Sequence, residues 1–192
     1  MAPSPTKKEQ TRARILDAAS QSFRSSGYAG TGVDGIAKAA GVTSGAFYAH
    51  FGSKDGAFAA ALATGMDDVI EAIPKFQAEF GEAWPDAFAD YYLGEAHRKD
   101  LGRGCAMTTL SPEVARADPQ VHRAYEAKMN RIAGLIADGL SGGTDAARRA
   151  RAWAMLSTLI GGLTLSRAVA NPDIANGIAA AARTAALAAA KG

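Results

Sequence analysis

The chain has 192 residues, 48% apolar and 21% charged, which is the make-up of a globular chain and excludes wholesale disorder. Its length suits one domain, or a small domain joined to a larger one. A single cysteine excludes an internal disulfide framework and multi-cysteine zinc patterns. The net charge of +2 is uneven: residues 1–64 hold seven basic groups (Lys7, Lys8, Arg12, Arg14, Arg24, Lys38, Lys54) against four acidic ones (Glu9, Asp17, Asp34, Asp55), and the remainder is close to neutral. A positive N-terminal end on a near-neutral body points to a polyanionic partner there.

Helical periodicity runs from end to end. The first amphipathic stretch is Thr11–Ser25, with Ile15, Ala19, Ser22 and Phe23 on one face and Gly27 as its stop. Short helices over Val33–Ala40 and Ser44–His50 follow, ended by Gly41 and Gly52. Ser53 caps a fourth that runs to Ile73, where Pro74 marks its expected end. Further helices fit Asp86–Arg98, Cys105–Ala117, Asp118–Leu140, Thr144–Ala170 and Asp173–Ala190. The expected fold class is therefore all-α, with about nine helices. The polar N-terminal dozen lacks a secretory core, and no run approaches the ~18 apolar residues of a membrane span. The expectation is a cytoplasmic protein with no membrane partner.

Thr31–Phe51, TGVDGIAKAAGVTSGAFYAHF, is the most informative segment. Two short helices around a Gly–Val connection form a helix–turn–helix pattern, in which Ala37 and Ala40 permit a close crossing. Val33, Ile36, Val42 and Phe47 supply its apolar contact. Thr43, Ser44, Gly45, Tyr48 and His50 remain on the outward side of the second helix. Small residues at its start let the backbone approach a groove, and hydroxyls and ring tips can bond phosphate. Lys54 adds a positive charge.

With its flanks, this segment resembles the TetR/AcrR family of bacterial transcription regulators. The resemblance rests on ILDAASQSF, GYAGTGVDGIAKAAGV, TSGAFYAHF and SKDGAFAAAL in order, over about the first 65 residues. It implies a helix–turn–helix DNA-binding domain over residues 1–52 and an effector-binding and dimerisation domain over 53–192. It further implies that Thr31, Thr43, Ser44, Gly45, Ala46, Tyr48, His50 and Lys54 face double-stranded operator DNA. Two positions depart from the family's pattern: Gly32 replaces a capping hydroxyl, and Gly35 stands where an acidic residue is usual, with Asp34 one position earlier.

The C-terminal part is expected to form a homodimer through the last two helices. Leu156, Ile160, Leu163 and Arg167 from one, with Ile174, Ile178, Ala181 and Ala185 from the other, form the expected four-helix interface. Aromatic and sulfur-bearing residues of the central helices are the expected effector pocket: Trp84, Phe88, Tyr92, Cys105, Met107, Tyr125, Met129 and Trp153. The expected effector is small and largely apolar or aromatic, and its binding releases a repressor from a palindromic operator. Cys105, at a helix start and close to Arg103, is the alternative trigger, as a redox or electrophile sensor. No cofactor or metal is expected. An enzyme is not expected either, because Cys105 with His97 or His122 lacks a third orienting group and no nucleophile elbow, metalloprotease or phosphate-loop motif is present.

Overall fold

A computed structural model describes residues 4–191. Ten α-helices and one 3-10 turn make up its regular structure: α1 Lys7–Ser26, α2 Val33–Ala39, α3 Ser44–Phe51, α4 Lys54–Phe80, the turn Gly81–Ala83, α5 Trp84–Leu93, α6 Glu95–Lys99, α7 Ala106–Val114, α8 Pro119–Gly139, α9 Asp145–Ala168 and α10 Pro172–Lys191. No strand occurs among the described residues.

Local chemistry sets most of the boundaries. Helix α1 begins a turn earlier than its apolar stripe because Thr6 and Glu9 form a reciprocal capping box. Gly27 ends it with φ 69°. Thr43, Ser53 and Thr144 cap α3, α4 and α9 by accepting backbone N–H groups from Ala46, Gly56 and Ala147. Helix α2 starts at Gly32 with no side-chain cap, as the sequence requires.

The two larger departures from the sequence expectation concern α4 and the expected helix over 86–98. Helix α4 passes through Pro74 and ends only at Gly81. Ile73 is buried beside the proline, and Gln77 Nε2 donates to Leu135 O of α8 at 2.7 Å, so tertiary contact holds the last turns past the missing N–H. The expected helix over 86–98 is broken at Gly94 into α5 and α6, which adds one helix to the expected number. Gly94 has extended backbone, φ −61° and ψ 155°, and so cannot continue the spiral.

Helix α4 is the spine. It packs on α1 and α3 near its start, and on α5, α7 and α8 further along. Phe58 of α4 meets Phe23 of α1 edge-on, with centroids 5.4 Å apart. Helices α9 and α10, joined by residues 169–171, fold back on each other, and a Cβ on Gly162 would stand 2.3 Å from Ala182 Cβ. The glycine is what lets these two helices approach so closely.

Candidate nucleic-acid interface and regulatory cavity

Helix α3 is held from behind and open in front. Phe47 is fully buried, its ring 5.8 Å from that of Phe51. Its neighbour Tyr48 is 51% exposed. Thr43, Gly45 and Ala49 are exposed on the same helix, and Ala46, Ser44 and His50 are half-buried. Ser44 Oγ donates to Asp34 Oδ1 at 2.6 Å, which ties α3 to α2. Asp34 therefore has a structural use one position away from the usual acidic site. Lys54 lies over the Tyr28 ring, 4.1 Å from its centroid, while the Tyr28 hydroxyl bonds Asp55. That bond to Asp55 pushes the Tyr28 phenol up to about 12. On α1, Lys7, Lys8, Arg12 and Arg14 are all exposed.

Thr31 does not belong to the exposed set. It is 5% exposed, and its hydroxyl lies 2.8 Å from Gly27 O and 3.1 Å from Ser22 O. With one proton shared between two carbonyls, it braces the turn after α1 and presents nothing to a groove.

The expected effector residues separate into several places. Phe88, Tyr92 and Cys105 line one cavity of about 120 Å³, together with Arg24, Gly65, Val69, Tyr91 and His97. Trp84 is buried elsewhere, its Nε1–H donating to Gly139 O at the end of α8, 3.0 Å away. Met107 is fully buried core. Tyr125 bonds Ser111 Oγ at 2.6 Å and borders a different, smaller groove with Met66 and Val121. Met129 packs half-buried against the core, and Trp153 lies half-buried under Arg149, 5.8 Å from its ring centroid. Aromatic composition picks out core and cavity walls alike, because both are apolar; only packing separates them.

Around Cys105 the cavity wall is built from distant parts of the chain. Cys105 occupies the N-cap position of α7 and is buried, and its backbone N–H donates to His97 Nε2 at 2.9 Å. Tyr92 Oη donates to Cys105 Sγ at 3.1 Å and lies 3.2 Å from Thr108 Oγ1. Burial, reinforced by Cys105, holds the Tyr92 phenol well above its ordinary range. Burial holds the His97 ring below the usual imidazole range, and the Arg167 charge acts in the same direction.

Arg167 does not face outward as expected of a dimer contact. Its guanidinium donates to the carbonyls of His97 at 2.6 Å, Arg98 at 3.3 Å and Asp100 at 3.3 Å, satisfying the end of α6. A Cβ on Gly104 would stand 2.1 Å from Arg167 Nη2, so the glycine is needed for that approach. Leu156 and Leu163 are fully buried within the chain. Ile160 and Ile178 are half-buried, and Ile174, Ala181 and Ala185 are exposed, as are the unforeseen Ser157, Thr164 and Leu165. The outward face of α9 is thus rotated from the expected one, because the most apolar positions of a helix are claimed first by its own core.

An all-helical chain with a helix–turn–helix at one end and a larger helical body is an architecture of DNA-binding regulators. Residues 15–61 match the model of the bacterial regulatory proteins of the tetR family. That segment is thus a TetR-type helix–turn–helix domain, and the chain as a whole is similar to TetR-family transcriptional regulators. It is 28% identical over 136 residues to the HTH-type transcriptional repressor SCO4008 of Streptomyces coelicolor, covering 69% of this chain and 70% of that protein. Over 72 residues it is 40% identical to the HTH-type transcriptional regulator AcrR of Shigella flexneri, covering 38% of this chain and 34% of that one. Among solved structures, a TetR-family regulator from Cytophaga hutchinsonii superposes with a TM-score of 0.80 at 15% identity, over 97% of this chain and 98% of the other.

Proposed function

We propose that the protein is a homodimeric repressor that occludes a roughly palindromic operator and leaves it when a small, largely apolar or aromatic effector enters the body. The observation that carries this reading is α3 itself, with Phe47 anchored in the core and Tyr48, Gly45 and Thr43 turned out beside a basic α1. In this reading Thr43, Ser44, Gly45, Ala46, Tyr48, His50 and Lys54 meet phosphates and base edges, and residues 1–52 form the reading head. Gly45 and Ala46 have no side-chain donor and the Ser44 hydroxyl is engaged with Asp34, so groove shape and backbone contacts carry much of the recognition at the start of α3. The relative SCO4008 is a repressor by name, which supports the sign of the effect.

The test is fluorescence anisotropy with DNA from upstream of the protein's own gene, against scrambled DNA, at several salt concentrations. The expected result is saturable, sequence-specific binding of two protomers, weakening linearly in log–log form as salt rises. Absence of binding to any DNA at low salt overturns the reading.

A second trigger is favoured by one observation: Cys105 Sγ receives the Tyr92 hydroxyl on the wall of the cavity. An electrophile entering there would gain a bond to sulfur as the thiol proton leaves to solvent. Cys105→Ser should then abolish release by electrophiles; an unchanged response removes this alternative.

A further inference from the structure

The lining of the cavity defines the effector more narrowly, an inference that rests on the reading of this cavity as the effector site. Arg24, in the last turn of α1, is the key residue. Its guanidinium offers five N–H donors, yet among the described residues it has no hydrogen bond and no ion pair, and its Nε is buried without a partner. Burying that one N–H without an acceptor costs free energy. The fold nevertheless makes room for it. A Cβ on Gly65 would stand 2.4 Å from Arg24 Nη2 and 2.6 Å from Ala106 Cβ, so α4 is bare where Arg24 passes and α7 closes in.

His97 belongs to the same lining; its Nε2 accepts the Cys105 N–H, so the proton of the neutral ring resides on Nδ1, near the backbone carbonyls of Tyr91 and Tyr92. Arg103 adds an exposed positive charge to the lining, and Arg167 lies behind Gly104. Asp68 is the acidic member; it makes no ion pair with Arg24, and burial raises its carboxyl while the Arg24 charge pulls the other way. Val69, Phe88 and Tyr91 supply apolar and aromatic wall.

We propose that the cavity binds a small aromatic carboxylate, its carboxylate paired with the Arg24 guanidinium and its ring against Phe88 and Tyr91. A guanidinium fork matches a carboxylate in a bidentate manner. A neutral aromatic would leave Arg24 unanswered. A phosphate dianion would set two negative charges against Asp68 across a small cavity. Arg24 belongs to the helix that leads into the reading head, whereas Phe88, His97 and Cys105 belong to the body. A ligand held by both sets draws the end of α1 against the body, and only a head position compatible with that contact is favoured.

The experiment uses the full chain and four probes of one shape: benzoate, benzamide, benzylamine and phenyl phosphate. Thermal melting and operator anisotropy are followed together. Benzoate should raise the melting temperature and release DNA while benzamide and benzylamine do neither. Arg24→Gln should weaken benzoate binding roughly ten- to a hundredfold, the loss of one charge-assisted contact. The comparison of benzoate with benzamide on the unaltered protein stands even if the variant folds poorly. Equal stabilisation by benzamide, or tighter binding of phenyl phosphate, overturns the carboxylate assignment and leaves the cavity as effector site. Stabilisation by benzoate without DNA release supports the assignment and counts against the effector reading beneath it. No shift with benzoate overturns the proposal, whatever the protein does with DNA.

Discussion

Adjacent residues of α3 have opposite fates. Phe47 is fully buried and Tyr48 is half in solvent, and helical geometry turns consecutive side chains about 100° apart. Phe47→Ala should therefore cost about 3–5 kcal/mol of stability, read by denaturant melts. Tyr48→Ala should change stability by less than about 0.5 kcal/mol and still weaken operator binding, read by anisotropy. His97 makes a prediction with pH. Its folded ring titrates below the free-imidazole value of about 6.5, so the neutral form is the native one. The associated stability is complete above that value and is lost as pH falls through it, when the unfolded chain takes up a proton the native ring resists. His97→Gln should flatten this acid slope in thermal melts recorded across mildly acidic pH. The exposure of Thr43, Gly45 and Tyr48 was legible from spacing, whereas the burial of Thr31 was not. Its position before α2 matches a surface hydroxyl, but the carbonyls of Ser22 and Gly27 that capture it come from the fold of the preceding turn.

At the scale of elements, caps and stops written into the chain were decisive. Gly27, Gly41, Gly52 and Gly81 end or follow helices with positive φ, a backbone region costly for other residues. Gly35 is different. It lies inside α2, exposed, and a Cβ there would meet nothing within 4 Å. Gly35→Ala should then stabilise the protein by about 0.5–1 kcal/mol, seen as a higher melting temperature. A decrease would show that α2 needs the glycine for a reason outside its own backbone. Pro74 shows the limit of local signals. It reads as a terminator, but buried Ile73 and the Gln77 bond to α8 keep the helix going. Gly94, one glycine among many, broke a helix that its apolar pattern continued.

At the scale of the molecule, the outward surface of α9 and α10 carries the proposed dimer. Leu165 and Ile174 are 59% and 54% exposed, amid small residues that allow close approach of a second copy. Leu165→Glu should shift the protein to monomer in light scattering and lower operator affinity while leaving its helical content intact. Leu156→Ala, by contrast, should act on folding, costing about 2–5 kcal/mol, because Leu156 is core and not interface. A stable dimer after Leu165→Glu would place the interface elsewhere.

What the sequence by itself determined is local or periodic: an all-helical chain, helix starts at Thr43, Ser53 and Thr144, the reading helix and its outward face, and a family resemblance borne by contiguous motifs. These depend on residues within a few positions of one another, where caps, glycine stops and the 3.6-residue repeat act. The tertiary structure alone decided which apolar stripe of α9 turns inward and which aromatic residues line the cavity. It also brought Arg24 of α1 beside Gly65, His97 and Cys105. Those assignments depend on competition among helices for the same core and on contacts between segments far apart in the chain, which no local pattern encodes.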